Sequence, residues 1–157
     1  MRYVTHSQDE TIALGSLLGQ VLQPGDVLVL TGDLGAGKTQ LTKGIARAMD
    51  ISDDVTSPTF TIQMVYYGRD FDLNHFDLYR LEHADQLEDT GLFDVLGADG
   101  VCVIEWGEQF IEQIGDERLD VVLTRLDDEA EPGEEPPRAI ELIPHGSRAE
   151  QIVAQLS

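Results

Sequence analysis

Eight consecutive residues, Gly32-Asp33-Leu34-Gly35-Ala36-Gly37-Lys38-Thr39, fit the spacing G-x-x-x-x-G-K-[ST], the Walker A pattern of a polyphosphate cradle. The chemistry asks for these residue types. Glycine carries no Cβ, so backbone N–H groups can turn inward around phosphate oxygens without a side chain in the way. A helix that begins at the end of the motif adds the partial positive charge of its N-terminus at the same point. Lys38 reaches the β- and γ-phosphates in such a site and the Thr39 hydroxyl binds magnesium. A magnesium ion beside phosphate also calls for carboxylates. Glu105 ends the apolar run Val101 to Glu105 (VCVIE), the position of a metal-site acid at the carboxyl edge of a parallel sheet. In Asn74 to Arg80 (NHFDLYR), strand alternation puts His75, Asp77 and Tyr79 on one side, which makes Asp77 a second candidate acid.

These side chains need elements to hold them. Ser7 and Glu10 form an S-x-x-E capping box, followed by Ile12, Leu14, Leu17, Leu18, Val21 and Leu22 at helical spacing, so the pattern predicts a helix from Gln8 to Leu22. Pro24-Gly25-Asp26 is a turn. Val27 to Thr31 (VLVLT) reads as a strand buried on both faces that delivers the chain into the Gly32 to Thr39 segment. Leu41, Ile45 and Met49 recur every four residues and predict a helix from Thr39 to Met49. Thr59 to Tyr66 and Phe71 to Tyr79 are aromatic and β-branched and flank Tyr67-Gly68-Arg69-Asp70, the signature of a hairpin. Helical turns are expected at His83 to Asp89 and Leu92 to Leu96, stopped by Gly91 and Gly97. Strands are expected at Val101 to Glu105, Leu119 to Leu126 and Arg138 to Ile143. A closing helix from Arg148 to Leu156 is announced by a second capping box, Ser147 and Glu150. Asp127 to Pro137 (DDEAEPGEEPP) is an exposed acidic connection.

Bulk properties bound the reading. A chain of 157 residues with 41% apolar side chains is about one domain's worth, so residues 1 to 157 are expected to form a single domain. The opening MRYVTHSQDE lacks the apolar stretch of a signal peptide, and no apolar run approaches the roughly 20 residues that span a bilayer. The chain is therefore expected to begin here and stay in the cytoplasm, away from membranes. Thirty Asp and Glu against ten Lys and Arg leave a formal charge of -20, which disfavours broad contact with nucleic acid backbones. An anion must enter through a local positive site. The single cysteine, Cys102, lies in an apolar run, so it forms no intrachain disulfide and reads as a buried, inert thiol.

Taken in series, Gly32 to Thr39, Thr56-Ser57-Pro58-Thr59-Phe60, His75-Phe76-Asp77-Leu78-Tyr79-Arg80-Leu81 and Ile104-Glu105-Trp106 resemble the TsaE (YjeE) family of small bacterial ATPases of tRNA threonylcarbamoyladenosine synthesis. The resemblance runs from about Ser7 to Ile143. It implies that Thr39, Asp77 and Glu105 make the metal site, with Lys38, Asp77 and Glu105 serving hydrolysis. It further implies that Leu34, Gly35, Ala36, Gly37, Lys38, Thr39 and Trp106 lie against ATP or ADP. Ser57 to Phe60 corresponds to a switch-like loop beside the γ-phosphate. Glu10 matches an acidic residue placed by the nucleotide base, and Arg138 and Ala139 open a strand that borders the adenine. Glu10 also has a full structural role in its capping box. The family's usual proline after the E-W pair is Gly107 here, and the acidic loop from Asp127 to Glu135 looks like a local elaboration to which no family role is carried.

The expected fold is thus α/β: a three-layer P-loop NTPase domain with a mixed sheet, a parallel core, an added antiparallel hairpin and helices on both faces. The resemblance implies a magnesium-dependent ATP hydrolase, slow in isolation, that drives cycling of the TsaD and TsaB transferase complex and meets tRNA only through it. Two alternatives stay open on the residues alone. One is a small-molecule P-loop kinase, which needs a basic lid where the one long loop is acidic. The other is a nucleotide-gated docking protein that does not hydrolyse.

Overall fold

The computed structural model describes residues 1–33 and 35–156. In chain order the elements are β1 (Arg2–Thr5), α1 (Gln8–Val21), β2 (Val27–Thr31), α2 (Lys38–Ala48), β3 (Gln63–Tyr67), β4 (Asp72–Asp77), α3 (Leu92–Val95), β5 (Val101–Glu105), α4 (Ile111–Ile114), β6 (Arg118–Arg125), β7 (Arg138–His145) and α5 (Ser147–Leu156). Short 3-10 turns at Ala84–Thr90, Glu108–Phe110 and Asp127–Glu129 complete the chain. No helix among the described residues is long and apolar enough to cross a membrane.

The seven strands form one sheet in the order β1-β7-β6-β2-β5-β4-β3. β2 lies at its centre, parallel to both β5 and β6, and β4 runs parallel to β5. β3, β7 and β1 add antiparallel pairs at the two sides. This is the mixed sheet with a parallel core and an added hairpin that the sequence led us to expect. Burial follows the alternation of β2: Leu28 and Leu30 face a core shared with Leu14 and Leu18 of α1 and Leu41 and Ile45 of α2. Val27 and Val29 face the opposite core, with Leu87, Leu92, Phe110 and Ile114 from the short helical segments. Cys102 sits in this second core, where burial pushes its thiol up to about 12, so it stays protonated and unreactive.

Several boundaries differ from the sequence reading. β1 lies outside every expected element: four residues with only Thr5 buried offer no periodicity, and the strand exists because Arg2–Thr5 pairs with Glu141–Arg138 of β7. The hairpin is shorter than expected, because Thr59 to Thr61 form a turn and the chain becomes a strand only at Gln63. The Ser147 cap is also corrected. α5 starts at Ser147 itself, and Gly146, at φ 89, supplies the carbonyl that takes the Glu150 amide. The capping at α1 stands, with the Glu10 amide donating to Ser7 Oγ at 3.1 Å. Leu17 is 52% exposed and faces away from the core that its neighbours enter.

α1 and α2 approach backbone to backbone. A Cβ on Gly44 would collide with the Ile12 carbonyl oxygen and stand 2.8 Å from the Gly15 Cα, and one on Gly15 would collide with the Leu41 carbonyl oxygen. Ser16 Oγ donates to the Gly44 carbonyl at 3.1 Å across this seam. The contact sets the tilt of the helix whose first residue is Lys38. We expect Gly44→Ala to lower unfolding free energy by about 1–2 kcal/mol, since the overpacking cost outweighs the better helix propensity of alanine. Urea unfolding followed by far-UV circular dichroism measures this; a midpoint at or above that of the unmodified protein would mean that the seam is looser than these contacts require.

Candidate functional site

The central strand ends at Thr31, and the turn that follows carries the chain over the carboxyl edge of the sheet into α2. Gly35 and Gly37 hold φ of 80 and 106, a left-handed conformation that side-chain-bearing residues rarely adopt. Gly37 is the N-cap of α2 with no side-chain cap, so the first amides of the helix remain free for an external acceptor. Lys38 and Thr39 open the helix. Leu34, expected beside the nucleotide, lies outside the described residues.

Two carboxylates meet this turn from neighbouring strands. The parallel register pairs Leu30 with Glu105 and Glu105 with Asp77, so both acids stand at the same level as the end of β2. Alternation turns both to the α2 side of the sheet, because Ile104 and Phe76 occupy the opposite core. Asp77 is 3% and Glu105 2% exposed. A cleft of about 490 Å³ is lined by Gly35, Gly37, Lys38, Thr39, Asp77, Glu105 and Trp106, with Ser57, Thr59, Gln40 and Tyr79 completing its walls. Most of the expected site therefore converges.

Each charged group is held. Lys38, 6% exposed, places Nζ 4.2 Å from the centroid of the Trp106 ring, a cation–π contact that keeps the ammonium at the cleft wall. Tyr79 packs against Trp106 with centroids 5.0 Å apart. Asp77 accepts from Thr59 Oγ1 at 3.0 Å, from Ser57 Oγ at 3.3 Å and from the Tyr79 amide at 2.9 Å. The segment that supplies Ser57 and Thr59 closes through an Ile62 N–H bond to the Pro58 carbonyl at 2.7 Å, and the Asp77 amide donates to Ile62 O at 2.8 Å. Ile62 and Trp106 hold φ of 67 and 58, which costs about 1–3 kcal/mol each for non-glycine residues. Two strained residues thus flank the acids.

The remaining expected residues do not line this cleft. The Glu10 carboxylate accepts from the His6 amide at 2.8 Å and does not line the cleft. Arg138, 9% exposed, donates to the Gly35 carbonyl at 3.0 Å and so braces the phosphate turn from behind. Ala139 is buried between its strand partners Val4 and Thr124, and Ala36 is buried within the turn. The sequence reading gave no role to His75, whose ring lies against Glu105, or to Tyr79, although alternation already put both on the side of Asp77.

Among the described residues no three His, Cys, Asp or Glu side chains gather as a self-sufficient metal cluster. The donor set nevertheless suits magnesium: two buried carboxylates and a hydroxyl beside a phosphate turn are the oxygen ligands of an ion that completes its shell with substrate phosphates and water. Asp77 is the most constrained of these donors. We expect Thr59→Val to cost about 1–2 kcal/mol of stability, the range for a hydrogen bond to a charged acceptor partly compensated by Ser57, and Ser57→Ala to cost less. Paired urea titrations measure both, and equal midpoints for Thr59→Val and the unmodified protein would show that the Asp77 bond contributes nothing.

Comparison with known proteins agrees with the geometry. Residues 5–132 match the family model described as threonylcarbamoyl adenosine biosynthesis protein TsaE. The tRNA threonylcarbamoyladenosine biosynthesis protein TsaE of Bacillus subtilis is 40% identical over 157 residues, covering 100% of this chain and 94% of that protein. The protein of the same name from Treponema pallidum is 41% identical over 128 residues, or 82% of this chain and 94% of its own length. The crystal structure of Bacillus subtilis YdiB superposes with a TM-score of 0.82 at 35% identity, over 99% of this chain and 93% of that one.

Proposed function

This chain belongs to the TsaE family of tRNA threonylcarbamoyladenosine biosynthesis, and we propose that its part in that pathway is to bind and hydrolyse ATP with magnesium, so driving the cycle of a TsaD and TsaB transferase complex. One observation carries the reading: Lys38 and Thr39 open a helix directly after a glycine turn, facing two buried carboxylates that are register partners on adjacent strands. Buried carboxylates at a phosphate cradle are costly unless a cation or a hydrogen-bonded network occupies the space between them.

In this reading the turn amides and Lys38 gather around the β- and γ-phosphates and offset the charge that spreads over the transferred phosphoryl group. Lys38 exchanges its Trp106 contact for phosphate in doing so. Thr39, Asp77 and Glu105 would hold the magnesium ion, which when bound neutralises phosphate charge. Asp77 keeps its Oδ2 on Thr59 and Ser57, so the 57–60 segment senses what occupies the site. Arg80 is exposed and lies over the Phe60 ring at 4.6 Å, outside the cleft, and Arg138 is committed to the Gly35 carbonyl. In this reading turnover is slow in isolation, a partner completes or gates the site in the cytoplasm, and tRNA is engaged only through that partner. The charge of -20 supports docking to proteins over direct contact with RNA.

Multiple-turnover phosphate release from ATP tests this, with the pure protein and with TsaD and TsaB added. Turnover should rise on adding the partners, and Lys38→Ala should lower it by about 100-fold or more, the scale of losing a main electrostatic contact in the transition state. Activity that survives Lys38→Ala unchanged would remove the proposal, and phosphate transferred to an added metabolite instead of water would point to a kinase.

A further inference from the structure

The mechanism above uses Glu105 and leaves its closest polar neighbour without a role. His75 is fully buried, two residues before Asp77 on β4, and its Nε2 lies 2.5 Å from Glu105 Oε2 on the adjacent strand. Its Cα partners are Val103 on one side and Met64 on the other. Nδ1 is enclosed with no hydrogen-bond partner among the described residues. That asymmetry selects a tautomer. A proton on Nδ1 would strand a buried N–H donor, whereas a bare lone pair there is the less costly orphan. The proton therefore sits on Nε2, where it donates to the carboxylate.

We propose that His75 is the positioning residue of the metal-site acid: its ring donates from Nε2 to Glu105 Oε2 and so fixes the carboxylate in the rotamer that presents the other oxygen to the cleft. Buried carboxylates that hold metals depend on such outer hydrogen bonds for orientation. The Glu105 backbone is fixed by its strand partners Leu30 and Asp77, but among the described residues the bond from His75 is the one that orients its carboxylate. Asp77, by contrast, is tied by three donors of its own. The two acids are thus oriented independently, Asp77 by the hydroxyls of Ser57 and Thr59 and Glu105 from inside the sheet. The inference rests on the assignment of Glu105 as a magnesium ligand.

The test has one arm without nucleotide or metal. In the ligand-free protein, ¹⁵N–¹H correlation spectra of the imidazole should show the proton of His75 on Nε2; a proton on Nδ1 overturns the proposal, whether or not any variant folds. The second arm titrates MgCl2 into the protein with ADP, followed by calorimetry. His75→Leu, which fills the space without a donor, should raise the half-saturating magnesium concentration by about tenfold or more. His75→Gln, which restores an N–H donor at the same reach, should recover most of that loss. A His75→Leu curve that overlies the unmodified one overturns the proposal. In a Glu105→Ala background His75→Leu should add nothing further, because a residue acting through Glu105 has nothing left to position; an additional tenfold loss there also overturns it. If the unmodified protein shows no magnesium dependence at all, the assignment of Glu105 as a ligand fails, and the tautomer still decides whether His75 is its donor.

Discussion

The parallel register of three strands is the constraint on which the site depends. Leu30, Glu105 and Asp77 are successive Cα partners across β2, β5 and β4. That alignment brings two acids from distant parts of the chain level with the turn that leads to Lys38. Side chains alternate with a period of two, so a slip of one residue on β5 or β4 would send its acid into the opposite core among Phe76, Ile104 and Phe110. Register is specified strongly here because both faces of these strands are buried. The fully enclosed residues of β5, from Val101 to Glu105, leave no solvent-facing alternative.

Electrostatics make the same location singular. In a chain with thirty acidic side chains, most carboxylates are dispersed on the surface, where water screens them. The buried ions among the described residues have partners, Arg138 in Glu135 at 3.0 Å and in the Gly35 carbonyl. Asp26 is bound by the Arg148 guanidinium at 2.8 and 2.9 Å, and hydrogen bonding to Asp26 raises the guanidinium above its ordinary value; this pair anchors α5 beside the entry of β2. Arg118 is bonded to Asp120 at 2.9 Å. At the cleft, Lys38, Asp77 and Glu105 are held by an aromatic face, hydroxyls and an imidazole rather than by one another. None of the three charges is therefore cancelled by another, and all three line the same cleft.

Strain gathers at the same edge. Ile62 and Trp106 adopt φ values that a β-branched and an aromatic residue otherwise avoid, Ile62 where the chain enters β3 and Trp106 where it leaves β5, each beside an acid. The Ile62 amide donates to the Pro58 carbonyl and the Asp77 amide to the Ile62 carbonyl, which holds the backbone at Ile62. Gly107, in the place of the proline usual after the E-W pair in the family it resembles, packs where a Cβ would stand 2.9 Å from Ile104 and Ile114. The turn after Trp106 is therefore set by close packing.

Much of this was legible from residue order. The phosphate turn, the strand before it and the helix after it are local events, dictated by glycine, alternation and four-residue spacing, and they stand where the pattern put them. Glu105 at a strand end and Asp77 on one side of β4 were visible for the same reason. What residue order could not express was pairing. β1 has no periodicity of its own and exists through β7; the onset of β3 waits for partners on β4; the α5 cap shifts to Gly146 because Glu150 bonds to that carbonyl. The bond from His75 to Glu105, the Lys38 contact with Trp106 and the brace from Arg138 to Gly35 each join residues that are far apart in the chain. Sequence alone determined which chemistry this protein carries, because backbone conformation and side-chain type are local properties. Only the tertiary structure decided which atoms hold those groups in place, because that depends on which strand lies beside which, and on how closely two helices can approach where neither carries a Cβ.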